Sequence, residues 1–112
     1  MRTLSTTDLQ DLIQNEKPFL LVNVLPAKMF PETELPGSVN VPLEDPDFAS
    51  RIEQLAGGKS NPVITYCANE DCPASEEAAE ALELAGFRDV ADYSAGAAGW
   101  RAEADAAAPS RR

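Results

Sequence analysis

The two cysteines of the chain, Cys67 and Cys72, are separated by four residues and are the side chains best suited to chemistry. Cys67 directly follows a short apolar run, Val63 to Tyr66, whose β-branched and aromatic residues favour a strand and which is too short for a buried helix. An alanine- and glutamate-rich segment with helical spacing follows and ends at Gly86. Cys67 is therefore predicted to lie where a strand meets a helix N-terminus, and there the unpaired N–H groups and the helix dipole help a thiol to ionise.

The absence of histidine limits the chemistry that Cys67 could perform. A Cys-His pair, a Ser-His-Asp triad and the usual zinc sites cannot form within this chain, and neither a metal nor a cofactor is predicted. Activation of a nucleophile must then come mainly from the backbone and the helix dipole. The competing interpretation is a structural cysteine, because free cysteines are among the most buried residue types.

Length and composition indicate one acidic globular domain. The chain has 112 residues, of which 44% are hydrophobic and 25% charged, enough for a single core. Its formal net charge of −10 disfavours nucleic acid and anionic membrane as partners and leaves a cationic protein partner open. No apolar stretch is long enough to span a bilayer and no signal-peptide core is found, so we expect a cytoplasmic monomer.

Helical and strand patterns alternate along the chain. The predicted elements are, in order, a helix over 6–15, a strand over 19–24, a helical turn over 27–30, a strand over 39–41, a helix capped by Asp45, a strand over 63–66, a helix ending at 86, a strand over 90–93 and a helix over 97–104. Ser5 and Asp8 have the spacing of a capping box for the first helix. This alternation predicts a mostly parallel α/β sheet in one domain over residues 1–104, followed by a disordered tail over 105–112.

The order of these features resembles the rhodanese-like family of sulfurtransferase domains over residues 4–100. The matching positions are 21–24, the proline-glycine turn and strand at 35–42, the strand and cysteine at 63–67, then Ser75, Ala78, Ala79, Leu82, Gly86, Phe87, Val90, Gly96 and Trp100. The resemblance implies a three-layer α/β fold with a central sheet of four to five mostly parallel strands and helices on both faces. It also implies that Cys67 lies at the bottom of a curled active-site loop.

Persulfide chemistry is what the resemblance implies for function. In active members the cysteine thiolate attacks the outer sulfur of a donor such as thiosulfate, holds that sulfur as a persulfide and passes it to a thiol acceptor or cyanide. Cys67 is then the nucleophile, and inward-pointing backbone N–H groups of the loop form an anion cradle. The implied active-site loop consists of Ala68, Asn69, Glu70, Asp71, Cys72, Pro73, Ala74 and Ser75. The implied partners are a small sulfur donor and a low-molecular-weight or protein thiol acceptor.

This loop departs from the family pattern in its charge. Family members place an arginine and a serine shortly after the cysteine; if Ser75 is that serine, Ala74 replaces the arginine, and if the spacing from the cysteine is kept, Cys72 replaces it. Glu70 and Asp71 add two carboxylates, which are expected to raise the pKa of the thiol and to repel an anionic donor. Thiosulfate is therefore predicted to be a poor substrate. Phosphatase chemistry is disfavoured too, since it needs an arginine that clamps an oxyanion.

The second cysteine leaves alternative functions open. If the loop brings the two α-carbons within disulfide reach, below ~7 Å, Cys72 is a candidate resolving cysteine for a persulfide or sulfenic acid on Cys67, and the domain is a thiol redox switch. Otherwise Cys72 caps the helix or packs under the loop. A third hypothesis is a catalytically silent interaction or regulatory domain.

Three other polar or aromatic side chains are predicted to have structural roles. Asn23 stands where the family usually has an acidic residue, and we expect it to form hydrogen bonds at a strand end that support the active-site loop. Ser75 is expected to cap the helix, although its hydroxyl could face the persulfide. Trp100 is expected to anchor the last helix in the core.

Overall fold

The structure of the protein, a computed structural model, describes residues 1–107, with the side chains of residues 1–103. Its centre is a five-stranded sheet in which every neighbouring pair is parallel. The strands are β1 (Arg2–Leu4), β2 (Leu20–Asn23), β3 (Val39–Asn40), β4 (Val63–Tyr66) and β5 (Val90–Tyr93), in the order β1-β5-β4-β2-β3. The predicted sheet of four to five mostly parallel strands is confirmed.

Residues 1–107 contain five helices: α1 (Thr6–Gln14), α2 (Phe30–Thr33), α3 (Phe48–Ala56), α4 (Ala74–Leu84) and α5 (Gly96–Ala107), with a 3₁₀ turn at Ala27–Met29. The first four lie between strands and α5 follows β5. The predicted capping box at the start of α1 is confirmed. The Ser5 hydroxyl accepts a hydrogen bond from the Asp8 N–H, and the Asp8 carboxylate accepts one from the Ser5 N–H, each at 3.0 Å. These bonds satisfy two donors at the Ser5 end of the helix.

The core consists of two apolar layers, one on each face of the sheet. On one face α3 and α4 cover β2 and β4, with Ile52 and Leu82 fully buried. On the other face α1 and α5 contribute Leu9 and Ala97 against the side chains of β4 and β5. All four residues of β4 are buried because this strand lies at the centre of the sheet and is covered on both sides. Cys67, the next residue, is therefore held at the end of a fully buried strand.

The structure differs most from the sequence predictions at β1, α3 and α5. β1 was not predicted; its three residues pair with β5, and only Leu4 is buried. α3 begins at Phe48, and the Asp45 carboxylate accepts a hydrogen bond from the Asp47 N–H at 2.8 Å, so Asp45 stabilises the turn before the helix and does not cap it. α5 extends to Ala107 and so includes residues 105–107 of the tail predicted over 105–112; the remaining residues, 108–112, lie outside the described part of the chain. In residues 1–107, no helix has the length and apolar character needed to cross a membrane.

Candidate active site

Cys67 lies at the carboxyl end of β4, between β2 and β5. The predicted junction of strand and helix is confirmed, because residues 68–73 form a loop that leads directly into α4 at Ala74. In open parallel sheets this edge, outside the carboxyl ends of the strands, is where ligands bind. The Cys67 side chain does not reach solvent, however, since the residue is only 1% exposed.

The first part of the loop is held by the first turn of α5. The Ala97 N–H donates to the Cys67 carbonyl at 3.0 Å, and the Ala98 N–H donates to the Ala68 carbonyl at 2.8 Å. Gly96 permits this close approach. Its φ angle is +64°, and a Cβ atom there would collide with the Cys67 carbonyl oxygen and lie 2.9 Å from the Asn69 nitrogen. The loop therefore starts from a backbone clamp that includes two N–H groups of a helix N-terminus.

The tip of the loop is a tight turn organised by Asn69. The Asn69 side-chain oxygen accepts from the Asp71 N–H at 3.0 Å, and its carbonyl accepts from the Cys72 N–H at 3.2 Å. Glu70 and Asp71 are exposed at this tip. A cavity of about 350 Å³ lies beside the turn and is lined by Asn69, Glu70, Asp71, Ala95, Ala98 and Gly99. The Cys67 sulfur does not line it.

The Cys67 sulfur faces two backbone carbonyls and one hydroxyl. Its thiol lies 3.3 Å from the Cys72 carbonyl oxygen, 3.5 Å from Ser75 Oγ and 3.9 Å from the Asn69 carbonyl oxygen. A carbonyl can accept a hydrogen bond from a thiol but cannot stabilise a thiolate. The cradle of N–H groups that the resemblance implies is thus replaced, in this conformation of the loop, by an arrangement that favours the protonated sulfur.

The pKa of the Cys67 thiol is raised accordingly. Burial is the largest cause, the neighbouring Cys72 side chain adds to it, and the side chain and backbone of Ser75 oppose it. The expectation of a readily ionised thiol is wrong for this conformation. Glu70 and Asp71 are not among the causes of the shift, because both carboxylates face solvent.

Cys72 is partly buried and packs against the apolar layer beneath the loop. Both cysteines are free thiols. The Cys72 carbonyl oxygen is 3.3 Å from the Cys67 sulfur, and the Cys72 side chain is close enough to contribute to the raised pKa of Cys67. The structure brings together Cys67, Cys72 and Ser75 out of the predicted loop, and leaves Glu70 and Asp71 apart from the sulfur.

Asp92, on β5, is a residue of this site that the sequence prediction missed. It is 4% exposed and pairs in register with Thr65 of β4, whose hydroxyl donates to the Ser75 carbonyl at 2.8 Å. Burial raises the pKa of the Asp92 carboxyl, a hydrogen bond from Ser75 opposes the shift, and the charge of Glu76 adds to it. The signal that could have identified it is an acidic residue inside a strand expected to be buried on both faces.

Asn23 does not support the active-site loop as predicted. It is fully buried, and its amide group donates to Thr33 Oγ1 at 2.8 Å and to the Tyr66 hydroxyl at 3.1 Å, while its carbonyl oxygen accepts from the Leu25 N–H at 3.0 Å. These bonds stabilise the connection between β2 and β3. Trp100 packs, partly buried, against the apolar layer under α1 and α5.

Comparison with known proteins identifies the family to which the chain belongs. A family model described as a rhodanese-like domain matches residues 5–103. The structure is similar to a thiosulfate sulfurtransferase from Pseudomonas aeruginosa, with 22% identity and a TM-score of 0.81 over 93% of this chain, which spans only 19% of that one. A search of curated proteins found no match to the sequence.

Two smaller solved structures are also similar. A rhodanese-like domain from Anabaena sp. has 22% identity and a TM-score of 0.76, with 91% of this chain and 74% of that one covered. An uncharacterised protein from Saccharomyces cerevisiae has 20% identity and a TM-score of 0.76, with 94% of each chain covered. At such low identities these similarities establish the fold.

Proposed function

The chain belongs to the rhodanese-like domain family, and from this premise we propose that it is a sulfur carrier or sulfurtransferase that forms a persulfide on Cys67. The observation that supports the proposal best is the position of this cysteine. It ends the central strand and lies under the loop that leads into α4, and Ser75, whose Oγ atom is 3.5 Å from the sulfur, acts to lower the pKa of the thiol. The similarity of the fold to a thiosulfate sulfurtransferase is consistent with this chemistry.

The proposed reaction has two displacement steps. The Cys67 thiolate attacks the outer sulfur of a donor; a sulfur–sulfur bond forms, the bond from that sulfur to the donor breaks, and its electron pair leaves with the rest of the donor. An acceptor thiolate then attacks the outer sulfur of the persulfide and releases the Cys67 thiolate. Sulfur passes between thiols without an added oxidant or reductant.

The charges around the loop favour a donor that is not a compact dianion. Ala74 follows Pro73 at the start of α4, where it offers no cation, and Glu70 and Asp71 are exposed on the approach to the loop. An oxyanion would find no bidentate arginine partner in this loop and would meet two like charges. We propose a persulfide or polysulfide as donor and a low-molecular-weight or protein thiol as acceptor.

The closed loop adds a condition to this chemistry. Cys67 is 1% exposed and the Cys72 carbonyl lies 3.3 Å from its sulfur, so a donor can reach the thiol only after residues 69–73 move. The clamp between the Cys67 carbonyl and α5 can persist during such a movement because it involves only the start of the loop. Access to the sulfur is then controlled by the second half of the loop.

The mass of the intact protein tests the proposal. Reduced protein is incubated separately with thiosulfate, polysulfide and glutathione persulfide, and the expected result is the gain of one sulfur atom with the latter two donors, lost in Cys67→Ser and retained in Cys72→Ser. If no donor adds sulfur to the wild type, or if Cys67→Ser still accepts it, the proposal is wrong.

A thiol redox switch is a second candidate, favoured by the closeness of Cys72, whose carbonyl oxygen lies 3.3 Å from the Cys67 sulfur and whose side chain contributes to the raised pKa of Cys67. The Cys72 thiolate would attack the inner sulfur of a Cys67 persulfide, forming a Cys67–Cys72 disulfide and releasing hydrosulfide, or would displace hydroxide from a Cys67 sulfenic acid formed by a peroxide. Free thiols are counted after mild oxidation with peroxide. Two remaining free thiols, or only disulfide-linked dimers, exclude an intramolecular bridge.

A catalytically silent interaction domain is the third candidate, favoured by the burial of Cys67 and the raised pKa of its thiol. Alkylation kinetics near neutral pH distinguish this candidate from the others, because an activated thiolate reacts faster than an ordinary thiol. If Cys67 reacts no faster than a cysteine in an unfolded peptide and also accepts no sulfur, the silent domain is the correct interpretation.

A further inference from the structure

The closed loop and the core surround the sulfur of Cys67 on all sides. The Cys72 carbonyl oxygen lies 3.3 Å from the sulfur, Ser75 Oγ 3.5 Å and the Asn69 carbonyl oxygen 3.9 Å, while the rest of the residue packs in the apolar layer and only 1% is exposed. The outer sulfur of a persulfide lies about 2.05 Å from the inner one, and nonbonded heavy atoms need about 3.5 Å between them. A second sulfur atom on Cys67 would therefore collide with the closed loop.

The closed loop also depends on the hydrogen atom of the Cys67 thiol. The thiol donates a hydrogen bond to the Cys72 carbonyl oxygen. The inner sulfur of a persulfide carries no hydrogen atom, so it cannot donate, and its lone pairs would face those of the carbonyl oxygen in a buried site. Adding a sulfur atom thus removes a contact that holds the loop closed.

The part of the loop that can move is short because both of its ends are fixed. At one end the Ala68 carbonyl accepts from the Ala98 N–H of α5 at 2.8 Å, and at the other end the Pro73 carbonyl accepts from the Glu77 N–H of α4 at 3.0 Å. Residues 69–72 form the turn between these ends. A movement of this turn can leave the sheet and both helices in place.

Asn69 closes the turn with two of its oxygen atoms. Its side-chain oxygen accepts from the Asp71 N–H at 3.0 Å, and its carbonyl oxygen accepts from the Cys72 N–H at 3.2 Å. Asn69 and Asp71 are exposed, so water can replace these hydrogen bonds when the turn opens. The collision at the sulfur is therefore opposed mainly by the packing of the Cys72 side chain against the core.

We propose that the turn over residues 69–72 is a latch that is closed over the Cys67 thiol and open over the Cys67 persulfide, with Asn69 as the positioning residue that holds it closed. A donor reaches the thiol during a transient opening of the latch, and the added sulfur then prevents closure. The open latch exposes the outer sulfur to an acceptor, and the turn closes again once that sulfur has left and the thiol has regained its proton. This inference rests on the proposed function, because it assigns a loop conformation to each step of sulfur transfer.

Amide hydrogen exchange measured by NMR tests the latch. The full chain carries Cys72→Ala, so that only Cys67 can be modified, and three forms are compared: the free thiol, the persulfide made with glutathione persulfide, and the methyl disulfide made with methyl methanethiosulfonate. In the last reaction the Cys67 thiolate attacks the methylthio sulfur of the reagent, a sulfur–sulfur bond forms, and methanesulfinate leaves with the electron pair of the broken bond. The methyl disulfide carries a second sulfur atom even if the protein is not a sulfur carrier.

Both modified forms should exchange the N–H groups of residues 71 and 72 about tenfold or more faster than the free thiol, because the turn that protects them is open. The N–H groups of Ala97 and Ala98, which hold the start of the loop, should change by less than about twofold. If a modified form keeps its protection at residues 71 and 72, the second sulfur fits under the closed turn and the proposal is wrong. An equal loss of protection at Ala97 and Ala98 also overturns it, because the whole site then opens.

Failure of the proposed function gives a different result, in which the methyl disulfide forms and the persulfide does not. The amide exchange of the methyl disulfide then decides on the latch alone. Protection at residues 71 and 72 in that form would overturn the latch as well.

Variants of Asn69 test its role before any sulfur is added. Alkylation of Cys67 by iodoacetamide, a neutral reagent, is followed by intact mass, again with Cys72→Ala. Asn69→Ala removes the acceptor of the Asp71 N–H and should react about fivefold faster, the effect of one hydrogen bond on the opening of the turn. Asn69→Asp keeps an acceptor oxygen and should react no faster than the parent protein. Asn61→Ala is the matched control, because it removes an exposed asparagine whose side chain donates to the Ala56 carbonyl at 2.6 Å, before β4.

Amide exchange in the same variants separates a latch from a merely structural role. In Asn69→Ala the difference between the free thiol and the modified forms should shrink, since the turn is already partly open, whereas Asn69→Asp and Asn61→Ala should keep the full difference. Equal alkylation rates for Asn69→Ala and Asn61→Ala, with an unchanged difference in exchange, would show that Asn69 does not hold the turn closed.

Discussion

Replacing Gly96 by alanine tests the clamp that positions the start of the active-site loop. Two effects add at this position. A φ angle of +64° disfavours any residue with a Cβ atom by about 1–2 kcal/mol. The added methyl group also meets backbone atoms, the Cys67 carbonyl oxygen and, at 3.0 Å, the Ala68 carbonyl carbon, which cannot move without breaking hydrogen bonds to α5. Overpacking of this kind costs typically about 1–3 kcal/mol, so the expected loss in unfolding free energy is about 2–5 kcal/mol.

Gly37→Ala provides the matched control. Gly37 has a similar φ angle of +75°, but nothing lies within 4 Å of the position that its Cβ atom would occupy. This variant should therefore lose only the conformational part, about 1–2 kcal/mol. The difference between the two variants isolates the contribution of the close approach between Gly96 and the loop.

Urea denaturation gives both unfolding free energies, and alkylation of Cys67 by iodoacetamide reports on the loop in the folded state. Gly96→Ala should be less stable than Gly37→Ala by about 1–3 kcal/mol and should change the rate of Cys67 alkylation, because the displaced loop no longer covers the sulfur in the same way. Gly37→Ala should leave that rate unchanged. Equal losses of stability in the two variants, with equal alkylation rates, would refute the argument that the loop is held by contact with Gly96.

Three further predictions follow from other contacts. Tyr66→Phe should lower the unfolding free energy, measured by urea denaturation, by about 1–3 kcal/mol. The Tyr66 hydroxyl donates to the buried Thr33 carbonyl at 2.8 Å and accepts from the Leu35 N–H at 3.1 Å, and the variant leaves both groups without this partner. A smaller loss would mean that other groups form hydrogen bonds with the Thr33 carbonyl and the Leu35 N–H in the variant. Burial raises the pKa of Asp92, so the folded protein holds a proton that the unfolded chain has released, and the free energy of unfolding falls as the pH rises from the unfolded value through the folded pKa. Asp92→Asn should remove this contribution and gain stability relative to the wild type over that pH range, whereas parallel curves for the two proteins would contradict the assignment. Combining Glu70→Gln with Asp71→Asn should raise the rate of sulfur uptake from thiosulfate at low ionic strength by roughly fivefold per charge, with a smaller gain in high salt; an effect independent of salt would exclude charge repulsion as its cause.

The sequence predicts the architecture well because each strand and helix carries its own local signal. The run from Val63 to Tyr66 is apolar without alternation, as expected for a strand covered on both faces, and it forms the fully buried central strand β4. The position of Cys67 at a strand-to-helix junction follows from that signal together with the helical pattern after Pro73. The capping box of α1 was predictable for the same reason, since Ser5 and Asp8 are local in sequence.

What the sequence does not predict depends on contacts between distant segments. β1 has only three residues and acquires its strand conformation by pairing with β5, which lies almost ninety residues away. The carbonyls of Asn69 and Cys72 turn towards the sulfur because of the backbone angles of the loop, which residue spacing does not determine. Asp92 joins the site because β5 is in register with β4 and α4 starts above both strands. The order of the strands, and therefore these neighbours, emerges only from the folded chain.

The features that depart from the family pattern act in the same direction on the choice of donor. Without the arginine, an oxyanionic donor has no cationic partner in the loop. The exposed carboxylates of Glu70 and Asp71 repel such a donor. The carbonyl oxygens of Asn69 and Cys72 beside the Cys67 sulfur destabilise a negatively charged donor at this position. Specificity is a difference between affinities, and all three changes weaken the binding of a dianion while leaving that of a donor with a protonated or less charged sulfur largely unaffected. Under the proposed function, the altered loop is therefore a change of substrate class, from oxyanionic to persulfidic sulfur, because the same charges that disfavour thiosulfate oppose a protonated persulfide much less.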